Sequence, residues 1–249
     1  MQQSECPLSQ NELIRYNRQI LYPDWGEEGQ HKVKHATVFI AGVGGLGGPV
    51  SIYLAAAGVG RLKICDNGQV ELSNLNRQIL YNDQDIDQLK VVSAKRFLNT
   101  LNPHIEVEYF SENIGRENID TLVGDATILV DCLDNFETRY ILNEYAVHKR
   151  LPFMHAGVEG FSGQLTFLHS PETPCLCCII PEAPPSKLFP IVGTTAGIIG
   201  CLEANEVLKH VTRIGSPLKG ILMIWDGMTT EFHRIEVNKD PHCPVCGKK

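Results

Sequence analysis

The residues best suited to chemistry in this sequence begin with a glycine-rich segment at positions 42–47. It fits the pattern G-x-G-x-x-G, with glycines at Gly42, Gly44, Gly45 and Gly47. An apolar run precedes the segment and a helix-like pattern follows it, which is the context in which backbone N–H groups bind phosphate. Asp66 ends the next apolar run, where a carboxylate can bind ribose hydroxyls. The segment predicts a nucleotide site but does not distinguish NAD, FAD and ATP, and an NAD-dependent oxidoreductase is the default interpretation.

Two cations and a second carboxylate favour ATP. Arg77 lies in the segment SNLNRQ, Lys90 comes later in a segment with helical spacing, and Asp134 follows a further apolar run in DCLDN. Because parallel strands end at one edge of a sheet, Asp66, Arg77 and Asp134 should converge on one crevice. Cations neutralise charge on phosphates, and a carboxylate can hold Mg²⁺. Hydride transfer needs none of these groups, so they predict phosphoryl or nucleotidyl transfer.

Four cysteines form two Cys-x-x-Cys units: Cys175, Cys178, Cys243 and Cys246. Together they can supply four thiolates to a tetrahedral Zn²⁺. A redox-active pair is the alternative, but it calls for one unit rather than two. Four thiolates leave no open coordination position, so the predicted zinc site is structural and ties the C-terminal tail to the start of a long loop. Cys177 is the spare thiol.

Strand and helix patterns that alternate along the chain must position these groups. Five short apolar or alternating segments predict strands, at 38–41, 61–65, 105–110, 127–130 and 153–156. Three segments with helical spacing lie among them, at 49–57, 86–101 and 137–150. This alternation predicts an α/β fold with a Rossmann-like, doubly wound and mostly parallel sheet.

The two ends of the chain have a different character. Residues 9–30 predict two short helices, and residues 193–210 predict a helix rich in small residues, suited to a subunit interface. Residues 170–192 are rich in proline and predict the long loop with the first cysteine pair. Three further strand patterns predict an antiparallel C-terminal extension, at 164–169, 221–225 and 231–237.

The composition argues against two classes of partner. The net charge is −7, whereas proteins that bind nucleic acid or anionic membranes normally carry a basic excess. The polar N-terminus lacks the apolar core of a signal peptide, and no stretch is apolar enough to span a bilayer. We therefore expect a cytoplasmic protein with neither nucleic acid nor membrane as its partner.

The ordered set GVGGLG, SNLNRQ, DCLDN and two Cys-x-x-Cys units closely resembles the MoeB/ThiF family, the bacterial relatives of ubiquitin-activating enzymes. The resemblance runs from Arg15 to Gly247. It implies one adenylating domain, with a nucleotide-binding part at 30–157 and a carrier-binding and zinc part at 158–249. It further implies an enzyme that uses ATP, Mg²⁺ and Zn²⁺. The implied reaction adenylates the C-terminal Gly-Gly carboxylate of a ubiquitin-like sulfur carrier protein and releases pyrophosphate, for sulfur transfer in molybdopterin or thiamine biosynthesis.

The resemblance also implies roles for single residues. It assigns the phosphate loop to the four glycines of 42–47, ribose to Asp66 and Mg²⁺ to Asp134. Three residues match the family's contacts to the ATP phosphates: Asn74, Arg77 and Lys90. Arg18 matches an arginine that the family donates from the partner subunit, which implies a homodimer with shared active sites. The chain has Gly68 where the family often has a second acid, so no role carries over to that position.

Several members of the family carry a nucleophilic cysteine in the loop after the first zinc pair. Residues 179–192 contain no cysteine. The resemblance therefore implies adenylation without a covalent enzyme intermediate, unless Cys177 acts, and a separate sulfur donor that consumes the product. Two alternatives stay open, namely an NAD-dependent oxidoreductase, which leaves SNLNRQ and Asp134 unexplained, and a non-catalytic scaffold that binds a carrier without activating it.

Overall fold

The computed structural model describes residues 7–185 and 189–247. Its strands are β1 (Thr37–Ala41), β2 (Arg61–Cys65), β3 (Glu106–Phe110), β4 (Ile128–Asp131), β5 (Phe153–Glu159), β6 (Ser162–Leu168), β7 (Ile221–Asp226) and β8 (Glu231–Glu236). Its α-helices are α1 (Gln10–Arg15), α2 (Asn17–Ile20), α3 (Gly26–His35), α4 (Gly47–Ala57), α5 (Lys90–Leu101), α6 (Ile119–Val123), α7 (Phe136–Lys149), α8 (Leu176–Ile179) and α9 (Gly193–Thr212).

The eight strands form one sheet in the order β3-β2-β1-β4-β5-β6-β7-β8. The first five strands of this order pair in parallel. The last three continue the sheet through antiparallel pairs. Because the chain leaves β1 toward β2 and later returns to β4 on the other side of β1, the order reverses between β1 and β4. The predicted doubly wound sheet with its antiparallel extension is confirmed.

Strand β1 shows why the parallel strands have continuous apolar runs in the sequence. All five of its residues are buried. Val38 and Ile40 belong to one hydrophobic core, whereas Phe39 and Ala41 belong to the other. Helices cover both faces of the sheet, so both alternating sets of side chains must be apolar.

Three predicted boundaries were wrong. Residues 9–30 hold three helices rather than two, because a capping box of Ser9 with Glu12 starts α1 and the chain breaks again before α3. The predicted helix at 86–101 begins only at Lys90, since Asp87 has a φ of 67° and cannot lie in a helix. Strand β5 extends past 156 to Glu159 because it pairs with β6 over its whole length.

The predicted loop at 170–192 contains one short helix, α8, and its residues 186–188 lie outside the described residues. No helix in the described part of the chain combines the length and the apolar character needed to cross a membrane.

The four predicted zinc ligands lie together. The Sγ atoms of Cys175, Cys178, Cys243 and Cys246 are all within 4.8 Å of one another. The Cys175–Cys243 and Cys178–Cys246 Sγ distances are 3.7 and 3.3 Å. Tetrahedral zinc with Zn–S bonds of about 2.3 Å requires Sγ atoms about 3.8 Å apart. The cluster therefore fits zinc, and it joins α8 to the C-terminal tail. Cys177 lies outside it, and its Sγ accepts a hydrogen bond from Asn143 Nδ2 at 3.5 Å.

Replacement of one cysteine in the cluster should release the metal. We expect the wild-type protein to contain about one zinc ion per chain and Cys246→Ser to contain almost none, because three thiolates bind zinc far more weakly than four. Elemental analysis after dialysis measures both. Cys201→Ser, on α9 and outside the cluster, is the matched control and should keep its zinc. A wild-type protein that folds without metal would contradict the expectation.

Candidate active site

A cleft of about 960 Å³ lies at the carboxyl ends of the parallel strands, at the point where the strand order reverses. Open α/β sheets bind their ligands at this point. Seven of the predicted site residues line the cleft: Gly42, Gly44, Gly45, Asp66, Arg77, Lys90 and Asp134. The structure therefore brings together the residues that the strand ends were expected to gather, while their roles remain predictions.

The glycine loop, residues 42–47, is a tight turn between β1 and α4. Gly42 has a φ of +89°, a conformation that favours glycine. A Cβ at Gly47 would lie 2.0 Å from the Gly42 carbonyl oxygen. Gly47 does not line the cleft, so close packing rather than a ligand explains this glycine. The Tyr81 hydroxyl donates to the Val43 carbonyl at 2.8 Å and braces the loop from behind.

Asp66 ties the end of β2 to the glycine loop. One carboxylate oxygen accepts from Val43 N–H at 3.0 Å and the other from Gly68 N–H at 2.8 Å. A carboxylate has further lone pairs, so it can still accept from ribose hydroxyls. A Cβ at Gly68 would lie 3.1 Å from the Asp66 carboxylate and 3.3 Å from Lys90 Nζ. Glycine at position 68 thus leaves room for the Lys90 side chain.

The two predicted cations enter the cleft from separate elements. Arg77 follows a short 3₁₀ turn, and its Cγ lies 3.6 Å from where a Cβ on Gly45 would be. Its guanidinium donates to the Ser73 carbonyl at 2.9 Å and to the Asn76 amide oxygen at 3.0 Å. Both acceptors are neutral, so neither cancels its charge. Lys90 is the first residue of α5, and the exposed Asp134 side chain comes from the segment between β4 and α7.

Besides Gly47, two predicted nucleotide-site residues do not line the cleft, Asn74 and Arg18. Asn74 is buried, and its side-chain oxygen accepts from Glu71 N–H at 3.2 Å. Its carbonyl accepts from Arg77 N–H at 3.0 Å, so Asn74 shapes the turn that carries Arg77. Arg18 is exposed on α2. The cysteine cluster also lies outside the cleft lining.

A set of buried polar side chains lies at the floor of the cleft, and we call it the buried charge cluster: Asp131, Arg139 and His155. Of the three, Arg139 also lines the cleft. Asp131 Oδ2 lies 2.7 Å from His155 Nδ1 and 3.3 Å from Arg139 Nε. Burial alone would raise the pKa of Asp131, but the Arg139 guanidinium and the His155 hydrogen bond hold that pKa below its ordinary value. Burial lowers the pKa of His155. The cluster therefore holds one carboxylate, one guanidinium and a neutral imidazole that donates through Nδ1.

A second buried acid lies next to this cluster. Burial raises the pKa of Glu203, on α9, well above its ordinary value. Burial likewise raises the pKa of Cys132, whose Sγ lies 3.9 Å from Glu203 Oε2. Cys132 is thus a neutral thiol near pH 7, and burial favours the protonated, neutral form of the Glu203 carboxyl.

No role was predicted for Asp131, Arg139 or His155, so the sequence did not reveal the buried charge cluster. His155 lies directly across from Asp131 in the pairing of β4 with β5. That register is not visible in the sequence. A signal for Arg139 was present, since it lies one turn into the helix that follows DCLDN, where it can reach back to the preceding strand end.

Comparison with known proteins agrees with this geometry. The model of the ThiF family matches residues 16–245. A sulfur carrier protein adenylyltransferase of Thermus thermophilus is 38% identical over 96% of this chain and 92% of its own length. A SAMP-activating enzyme E1 of Haloferax volcanii is 37% identical over 97% of this chain and 91% of its own length.

Among solved structures, a crystal structure of Escherichia coli MccB with ATP is similar, with a TM-score of 0.84 and 27% identity. The likeness covers 96% of this chain and 75% of that one. The matches to the family model and to the two relatives each cover nearly the whole chain. The chain therefore belongs to the ThiF family.

Proposed function

We propose that this protein adenylates the C-terminal carboxylate of a ubiquitin-like sulfur carrier protein that ends in Gly-Gly. The observation that carries the proposal is the meeting of Arg77, Lys90 and Asp134 around the glycine loop in one cleft. During transfer of AMP, negative charge develops on the phosphates, and cations and a metal-binding carboxylate stabilise it. Hydride transfer develops no such charge on phosphates. Relatives named as an adenylyltransferase and an activating enzyme E1 support the same class of reaction.

The reaction joins a carboxylate oxygen of the carrier to the α-phosphorus of ATP and breaks the bond from that phosphorus to the departing pyrophosphate. The attacking carboxylate is ionised near neutral pH, so no general base is required. The protein supplies position and charge. The glycine loop holds the phosphates, Asp66 faces the ribose, and Arg77 and Lys90 neutralise the phosphates. Mg²⁺, when bound, would neutralise further charge, and Asp134 is the carboxylate offered to it.

We assign the nucleotide to residues 30–157 and the carrier and zinc to residues 158–249 of one domain. Beyond Gly157 the cleft continues between β6, β7 and the loop after α8, where Gln164, Pro184 and Ile224 line it. A tail of two glycines has no side chains, so it can enter this part of the cleft as bare backbone. Because residues 179–192 lack cysteine, the reaction ends at the acyl-adenylate. A separate sulfur donor then consumes it, in molybdopterin or thiamine biosynthesis.

We further propose that the protein is a homodimer. Exposed apolar side chains near the N-terminus, Ile14, Leu21 and Tyr22, lie close in sequence to the exposed Arg18. On α9, a Cβ at Gly197 would meet no atom within 4 Å, which leaves space for a neighbouring subunit. These surfaces support a subunit interface through which Arg18 enters the cleft of its partner.

The exchange of pyrophosphate into ATP tests the reaction. We expect exchange only with a carrier that ends in Gly-Gly, and a loss of about 100-fold or more in Arg77→Ala and in Asp134→Ala, because each removes a charge that acts on the phosphates. Arg116→Ala and Asp83→Ala are matched controls at exposed positions outside the cleft. Unchanged exchange in Asp134→Ala would reject its assignment. Carrier binding without any exchange in the wild type would indicate the scaffold.

Thermal shifts separate ATP from NAD. A ligand at 100 times its Kd stabilises the folded state by about 2.7 kcal/mol, which for a chain of this size corresponds to roughly 5–10 °C in Tm. We expect such a shift with MgATP and none with NADH. The opposite result would favour the oxidoreductase, which needs only the glycine loop and Asp66.

Mixed dimers test the shared active site. Arg18→Ala and Asp134→Ala should each lower exchange by about 100-fold or more. After the two inactive variants are dissociated and reassembled together, we expect about a quarter of the wild-type activity, because half of the dimers are mixed and each mixed dimer has one intact site. No recovery would mean that Arg18 acts within its own subunit or not at all. Reassembled wild-type protein controls for the procedure.

A further inference from the structure

The segment that carries Asp134 into the cleft is bound on both sides by buried charge. Leu133 N–H donates to Asp131 Oδ1 at 3.1 Å, and the Leu133 carbonyl accepts from Arg139 Nη2. Both backbone polar groups of the residue before Asp134 are thus bound by one buried ion pair. An exposed side chain in a bend would otherwise have little to fix its direction.

Arg139 also reaches the opposite wall of the cleft. Its Nη2 donates to the Ala156 carbonyl in β5 at 3.0 Å. A Cβ on Gly157 would lie 3.7 Å from its Nη1. One guanidinium therefore joins the segment of Asp134 to the strand that runs from the nucleotide end of the cleft toward the proposed carrier end.

The same segment packs against the glycine loop. A Cβ at Gly42 would lie 2.7 Å from the Cys132 carbonyl oxygen and 3.6 Å from the Leu133 side chain. A shift of residues 132–134 toward the loop would therefore clash with it. A shift away would open a gap between the phosphate loop and Asp134.

The rest of the buried charge cluster holds the guanidinium in place. His155 donates to Asp131 Oδ2, which leaves Oδ1 for Leu133 N–H. The Phe136 ring centroid lies 5.0 Å from Arg139 Cζ and covers one face of the guanidinium. Lysine has one terminal nitrogen in place of the planar fork, so it cannot keep one nitrogen beside Asp131 while another binds the two carbonyls, as Nε and Nη2 of Arg139 do.

We propose that Arg139 is a positioning residue for adenylation. It sets Asp134 at a fixed place relative to the glycine loop and β5, with Asp131 and His155 as its supports. This inference rests on the proposed function, because it concerns the same cleft. Its effect is on the arrangement of groups during the reaction and not on the binding of either substrate.

The test compares Arg139→Lys with the wild type. We expect kcat for pyrophosphate exchange to fall about 100-fold, as displacement of a reacting group by an ångström can cause. The Kd of ATP without Mg²⁺ and the Kd of the carrier, each measured by calorimetry, should stay within about twofold, since neither requires Asp134 in its exact place. Arg116→Lys, at an exposed ion pair outside the cleft, is the control and should match the wild type. Full exchange in Arg139→Lys, or a loss confined to substrate binding, would overturn the proposal.

A double variant shows whether Arg139 acts through Asp134. If it does, Arg139→Lys combined with Asp134→Ala should lose no more exchange than Asp134→Ala alone, because groups that act as a unit are not additive. A structural defect, or a direct contact of Arg139 with substrate, would instead multiply the two losses. Multiplied losses would overturn the proposal.

Amide hydrogen exchange of the wild-type protein provides a readout that needs no variant. The Leu133 amide should exchange slowly, as the strand amides of β4 do, although it lies beyond the end of that strand. In Arg139→Lys its protection should fall while that of β4 remains. Fast exchange of Leu133 in the wild type would overturn the proposal even if Arg139→Lys does not fold. A wild-type protein without pyrophosphate exchange would reject the proposed function, and Leu133 protection would then decide the inference alone.

Discussion

No side chain fits between Gly42 and Gly47, where the end of β1 meets the start of α4, and the cleft depends on this constraint. At Gly47 a Cβ would collide with the Gly42 carbonyl. Helix α9 approaches the same turn so closely that a Cβ at Gly200 would lie 2.7 Å from the Leu46 carbonyl oxygen. The glycines therefore set the position of both helices against the sheet. They also leave backbone N–H groups at the start of α4 uncovered by side chains, which is what a phosphate requires.

A second constraint comes from charge beneath this turn. A single buried charge costs several kcal/mol, whereas Asp131 and Arg139 compensate each other, and burial favours the neutral forms of His155 and Glu203 beside them. A well-packed apolar set can be as stable as a buried ion pair, so stability alone does not explain this cluster. Its hydrogen bonds reach the Leu133 and Ala156 carbonyls, on two walls of the cleft. The cluster thus fixes backbone geometry where apolar packing would leave it free.

The sequence predicted the site residues that follow the ends of parallel strands. It did not predict contacts that depend on the register between neighbouring strands. Asp66 and Asp134 were placed in one cleft because both follow parallel strands, and that rule needs no knowledge of neighbouring strands. His155 was missed because its partner, Asp131, lies on an adjacent strand whose alignment no local pattern encodes. Asn74 was assigned to ATP by resemblance, and that role stays a prediction, while in the structure its side chain shapes a turn. The start of α5 was misplaced because Asp87 adopts a positive φ, with its N–H bound to the Val70 carbonyl at 2.9 Å.

Exposed and buried charged groups have different roles in the cleft. Groups offered to a ligand keep their charge available: Asp134 is exposed, and Arg77 donates only to neutral oxygens. Groups that hold the backbone are buried and compensated, because a strong hydrogen bond in a dry environment resists displacement. An exposed carboxylate alone would sample many rotamers, and a buried one alone would reach no ligand. Placing Asp134 next to Leu133, which Asp131 and Arg139 hold, meets both requirements within residues 131–139.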